Sequence, residues 1–125
     1  MIEKQLRELI RRYGISSGFG MRSLGGRQEF HNGIDIPCPE GTEILIPAAL
    51  AAAVRIWWDA QWGGGLSAVV MVKDVRYGFA HLSAVSVTPE GVKLMTGNTG
   101  RSTGPHLHLT VYARGGWQDP AVWLK

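Results

Sequence analysis

The chain has 125 residues, enough for one domain with its own apolar core and no need of disulfide staples. A composition of 45% hydrophobic and 18% charged residues excludes wholesale disorder, and the single cysteine, Cys38, excludes an intrachain disulfide framework and any multi-cysteine zinc site. The net charge of +3 favours anionic partners. No Lys/Arg run is longer than Arg11-Arg12, so a nucleic-acid partner is not expected, and no apolar stretch approaches the roughly 20 residues of a membrane span.

Residues 2–12 predict a helix: Ile2, Leu6, Leu9 and Ile10 share one face, while Glu3/Arg7 and Lys4/Glu8 pair at four-residue spacing. Gly14 is placed to stop it, which divides the chain into a helical arm, 1–14, and a main domain, 15–125. The N-terminus has no apolar h-region; if Met1 is the natural start, the chain carries no export signal of its own. After Gly14 comes a loop-rich stretch punctuated by Gly18, Gly20, Gly25 and Gly26. Strand-like runs follow at Thr42–Pro47, Ala51–Trp58, Leu66–Lys73, Arg76–Leu82, Val92–Met95 and His106–Tyr112. Turn signals separate most of them, among them Pro39-Glu40-Gly41, Gly63-Gly64-Gly65, Pro89-Glu90-Gly91 and Gly115-Gly116. No helical period is visible beyond residue 14. The expected fold is mainly β: an antiparallel sheet, sandwich-like domain or partial barrel with a short N-terminal α-helix.

The four histidines have unusual settings. In Pro105-His106-Leu107-His108-Leu109, a strand puts His106 and His108 on one face and Leu107 and Leu109 on the other. Two adjacent imidazoles make sense if one binds a cation or shuttles a proton; two surface histidines on an amphipathic strand is the plainer alternative. His31-Asn32-Gly33-Ile34-Asp35 offers an imidazole and a carboxylate that converge if Gly33 bends the chain. Alone, Asp35 is equally a turn acceptor. Joined to His106 and His108, the pair supplies enough ligands for a three-ligand zinc site and leaves one histidine over. His81, at a strand end, gains interest only from such company. Gly97–Pro105 is rich in Gly, Ser and Thr, but it has no Lys-Ser/Thr pair and leads into a strand, so it is no phosphate loop. Cys38 is either a small semi-buried residue or a fourth soft ligand; a closed four-ligand site would lack room for catalytic water. Trp57 and Trp58 face opposite ways in a strand, so one is free to lie near a groove.

Taken in order, Ser17–Arg22, Phe30-His31-Asn32-Gly33-Ile34-Asp35-Ile36, Pro39-Glu40-Gly41-Thr42, Ala80-His81-Leu82-Ser83 and Gly97–Leu109 resemble the lysostaphin-type (LytM-like) zinc peptidases that cut peptidoglycan cross-bridges. The likeness runs from about Ser17 to Leu124, and its last segment is the most specific. The resemblance implies one Zn²⁺ per chain held by His31, Asp35 and His108. It implies that His81 and His106 are not ligands and work on the water and the reacting carbonyl. It further implies a β-sheet fold with a narrow groove flanked by loops. Phe79 stands where the family often has an aromatic hydroxyl, and the compact loops before His81 and Gly97 leave substrate preference open. The expected function is zinc-dependent hydrolysis of peptidoglycan stem peptides or cross-bridges, at the cell wall in the periplasm or outside the cell. A phage virion or lysis protein, or a trimmed domain, fits a chain without a signal peptide. The alternative is a metal-binding wall-recognition or virion structural module without turnover, which needs neither His81 nor His106.

Overall fold

The computed structural model describes residues 2–125. Helix α1, Ile2–Tyr13, buries Ile2, Leu6 and Leu9, and Ile10 packs partly buried against the same core. Gly14 ends it at φ 74, a left-handed conformation that glycine adopts freely. Two polar contacts fix α1 in place. The Gln5 amide donates to the Leu45 carbonyl at 2.7 Å and accepts from the Leu45 N–H at 2.9 Å. Arg7 Nε donates to the Leu124 carbonyl at 2.8 Å.

Ten strands follow: β1 Gly20–Leu24, β2 Arg27–His31, β3 Ile34–Ile36, β4 Glu43–Pro47, β5 Val54–Asp59, β6 Gly65–Val72, β7 Val75–Thr88, β8 Gly91–Thr96, β9 Leu107–Ala113 and β10 Gly116–Gln118. β1 and β2 form a separate hairpin, and the other eight form one antiparallel sheet. The fourteen-residue β7 is its spine. Residues 76–80 of β7 lie between β6 and β9, and its later part pairs with β8. β8 then pairs with β4, β9 with β3 and β10, and β6 with the edge strand β5. The mainly antiparallel β fold with a short N-terminal helix is thus the one expected.

The core lies on one face of this sheet. Alternation puts Leu107, Leu109 and Val111 of β9 there at 0% exposure, with Ile34, Ile36, Val70, Tyr77 and Phe79 beside them. The alternate residues, Asp35 of β3 and His108 of β9 among them, point to the opposite face. These two stand directly across from each other in register.

Several local expectations need correction. The strand expected at Ala51–Trp58 starts only at Val54, because Ala48–Ala53 winds into a 3₁₀ segment. Its run of alanines suits helical backbone and has little side chain to hold a pleated surface. The stretch after Gly14 read as loop holds the β1–β2 hairpin, whose two-residue turn is Gly25-Gly26 with both φ positive (56 and 83). β7 runs on past Leu82 to Thr88, and a short helix, α2 Pro120–Trp123, follows the Asp119 cap. The Asp-Pro pair is its start signal.

Candidate active site

The β3–β9 register sets Asp35 beside His108, and the β1–β2 hairpin delivers His31 to the same point from its last residue. Asp35 Oδ1 is 3.0 Å from His108 Nδ1 and 3.3 Å from His31 Nε2, and the two nitrogens are 3.2 Å apart. Ligand atoms on a tetrahedral zinc at 2.0–2.1 Å stand about 3.3 Å from one another. These three donors could therefore hold a divalent metal ion as they stand.

The far sides of both rings explain which nitrogen turns inward. His31 Nδ1–H donates to the Gly18 carbonyl at 2.7 Å, which leaves the Nε2 lone pair for a metal. His108 is reversed: its Nε2–H donates to Asn32 Oδ1 at 3.0 Å, so Nδ1 is the inward atom. Burial alone would raise the Asp35 pKa. When the inward nitrogens carry protons in place of a metal ion, hydrogen bonds from His108 and His31 and the charge of the two rings outweigh burial and hold the carboxyl well below the usual range. Two imidazoles and one carboxylate form a donor set that suits zinc and leaves a position open.

The other two histidines stand against this cluster without completing it. The His81 ring centroid is 4.6 Å from that of His106 and 6.2 Å from that of His108, and His106 Nε2 is 3.7 Å from Asp35 Oδ1. Both are oriented by loop carbonyls: His81 Nδ1–H donates to Thr99 O and His106 Nδ1–H to Gly104 O, each at 2.8 Å. Each therefore turns Nε2 away from its anchor. His81 has a left-handed backbone, φ 62, at a bulge where the register of β7 shifts against β6; a second shift, against β8, follows at Ser83. Its N–H is held by the Gly64 carbonyl at 2.7 Å. A bulge re-aims a side chain that regular alternation would place elsewhere. Burial pushes the His81 pKa down, and the neighbouring His106 and His108 push the same way against the Thr99 carbonyl and Asp35.

Two loops make the wall beside His81. The Asp59 carboxylate accepts from the N–H groups of Trp62 (2.9 Å) and Gly64 (3.1 Å). Thr99 Oγ1 donates to the Leu82 carbonyl at 2.6 Å and accepts from the Leu66 N–H at 3.1 Å. Gly65 and Gly100, both at positive φ, pack so closely that a Cβ on either would collide with the other loop. Asn32, Asp59 and Thr99 were passed over in the sequence. Asn32 stood in plain view between His31 and Asp35, but the bonds of Asp59 and Thr99 arise only where two loops meet. Cys38 is 1% exposed in the apolar core and lies outside the His/Asp cluster. Trp57 and Trp58 are both exposed because β5 is an edge strand, and Phe79 is buried in the core.

The family model described as Peptidase family M23 matches residues 29–120, which contain all five of these side chains. The chain belongs to peptidase family M23. Among curated relatives, the M23 chain is 36% identical over 110 residues to the DD-carboxypeptidase/endopeptidase Mpg of Neisseria meningitidis serogroup B, covering 81% of this chain and 25% of that protein. It is 31% identical over 114 residues to the peptidoglycan DD-endopeptidase ShyA of Vibrio cholerae, covering 83% and 26%. The chain thus spans about a quarter of the length of these relatives. Among solved structures, this M23 fold is similar to the catalytic domain of the antimicrobial peptidase lysostaphin from Staphylococcus simulans. That likeness has a TM-score of 0.71 and 27% identity and covers 94% of this chain and 96% of that one.

Proposed function

We propose that this M23 chain is a zinc-dependent endopeptidase that hydrolyses peptide cross-links of bacterial peptidoglycan, with residues 15–125 as the peptidase unit and 1–14 as its helical arm. The observation that carries this reading is the split among the histidines. Two of them converge with Asp35 at metal-ligand spacing, and two stand alongside with Nε2 uncommitted. A metal-holding module has no use for the second pair. The names of the relatives, a DD-carboxypeptidase/endopeptidase and a peptidoglycan DD-endopeptidase, support the substrate class.

His31, Asp35 and His108 hold the ion in this reading. A zinc ion held there would supply Lewis acidity toward water and the scissile carbonyl. His81, kept neutral by its burial, accepts the proton of the attacking water at Nε2. His106, as the doubly protonated imidazolium, donates a hydrogen bond from Nε2 to the carbonyl oxygen as negative charge builds there while Nδ1–H stays on the Gly104 carbonyl. The Thr99 and Gly104 carbonyls orient both rings in advance, so no ring has to flip during the reaction. Action at the cell wall, in the periplasm or outside the cell, is the setting we propose.

Zymography on purified cell walls, with and without chelator, tests the function. A cleared band that chelator removes and zinc restores is the expected result. Wall binding without clearing would instead favour a silent recognition or virion module. Mass spectrometry of fragments from defined peptidoglycans identifies the bond cut.

A further inference from the structure

The sheet face that carries Asp35 and His108 does not end at the site. Along β9 it continues through Thr110 to Tyr112, and the register aligns Tyr112 with Arg76 on β7 and Trp117 on β10. The row between is low. Thr110 faces Gly78, where a Cβ would strike its hydroxyl, and on the other side Gly33, where a Cβ would come within 2.9 Å of its methyl. Thr110 lies over both buried glycines, so the row between the histidines and Arg76 carries one short side chain where three residues stand abreast.

At the far end the three side chains form a stack. The Arg76 guanidinium lies 4.7 Å from the Tyr112 ring centroid and 6.0 Å from that of Trp117. The two rings meet edge to face at 5.1 Å. Trp117 is 40% exposed. Such stacking holds the guanidinium plane in place and leaves its forked donors to a partner. Among the described residues, no carboxylate lies within ion-pair distance of Arg76; the pairs formed by Arg11, Arg22 and Lys93 are elsewhere. A guanidinium held on two rings and lacking an acid matches a carboxylate brought by a ligand. His108 and Tyr112 are four residues apart on one strand, about 13 Å at 3.3–3.4 Å per residue. An extended peptide covers that distance in about four residues.

We propose that Arg76, Tyr112 and Trp117 form a carboxylate-binding subsite that selects peptide substrates with an acidic group about four residues from the bond to be cut. This deepens the peptidase reading and rests on it. The test uses the metal-loaded protein and defined cross-linked peptides in two forms, with the distal carboxyl free or converted to an amide. The wild-type chain is expected to favour the free acid by about ten-fold in kcat/KM, mostly through KM, as a charge-assisted hydrogen bond implies. Arg76→Gln should bring that ratio to about one. Arg55→Gln should keep it, because Arg55 is turned to the Ala52 and Val54 carbonyls. A wild-type ratio of one, or a ratio that survives Arg76→Gln, overturns the subsite while leaving the peptidase reading intact. If neither form is cleaved, the peptidase reading fails and binding decides the subsite by NMR titration. Acid-dependent shifts at the Arg76 Nε–H and the Trp117 indole support it, and their absence overturns it as well.

Discussion

His81 stands on a left-handed backbone, φ 62, where a side chain beyond Cβ is the exception. Replacing it with Ala and, separately, with Gly removes the imidazole and its bond to Thr99 in both variants, so comparing the two isolates the backbone. Ala keeps the steric cost of left-handed φ, about 1–2 kcal/mol. Gly avoids that cost but adds about 0.4–1 kcal/mol of unfolded-state entropy. At the middle of those ranges the Gly variant should therefore be the more stable by about 0.8 kcal/mol, the reverse of the usual order in strands and helices. For a domain of this size that is about 3–5 °C in Tm. Urea unfolding and calorimetry, each with metal and with chelator, measure the difference, and both variants should lack peptidase activity. An Ala variant equal to or more stable than the Gly variant would refute the reasoning, since position 81 would then relax freely and Gly64 would not be pinning it.

Asp35→Ala and His108→Ala should lose both bound metal and activity, whereas His106→Ala should keep about one metal per chain and lose turnover; atomic absorption on dialysed protein separates the two groups. Gly65→Ala places a Cβ 2.5 Å from Gly100 N and 2.7 Å from Thr99 Oγ1 at φ 65. It should cost more than about 2 kcal/mol and lower kcat with metal retained, as read by unfolding and steady-state kinetics. The His81 pKa lies below its ordinary value of about 6.5 because of burial and cationic neighbours. Protonation as pH falls would remove the proton acceptor, so the acid limb of kcat/KM should lie below pH 6.5; a limb at or above 6.5 contradicts the assignment.

Much of the fold was legible where one pattern was sufficient. The helix read from Ile2, Leu6 and Leu9 is there, and the alternation of β9 placed Leu107, Leu109 and Val111 in the core as expected. The convergence of His31 and Asp35 with His108 was readable as chemistry but not as geometry, since it depends on the β3–β9 register, a long-range pairing with no local signal. The Gly25-Gly26 pair is a two-residue turn signal, but with Gly18 and Gly20 close by it does not stand out from a loop. The run of β7 beyond Leu82 has no sequence signal for a physical reason: the irregularities at His81, against β6, and at Ser83, against β8, break the alternation by which a strand is recognised. The alanines before Val54 adjoin a β-type run, but their own propensity is helical.

The small pairing between Gln5 and Leu45 has a consequence beyond holding a helix. β4 pairs with β8 on one side only, so its other margin would otherwise be an open template for a strand from a second molecule. Gln5 takes both backbone groups of the central residue, and Pro47 at the end has no N–H to offer. One amide thus blunts the middle of this margin against strand addition, and undocking the helix would bare the Leu45 backbone groups there, while β5 remains an open edge of the sheet.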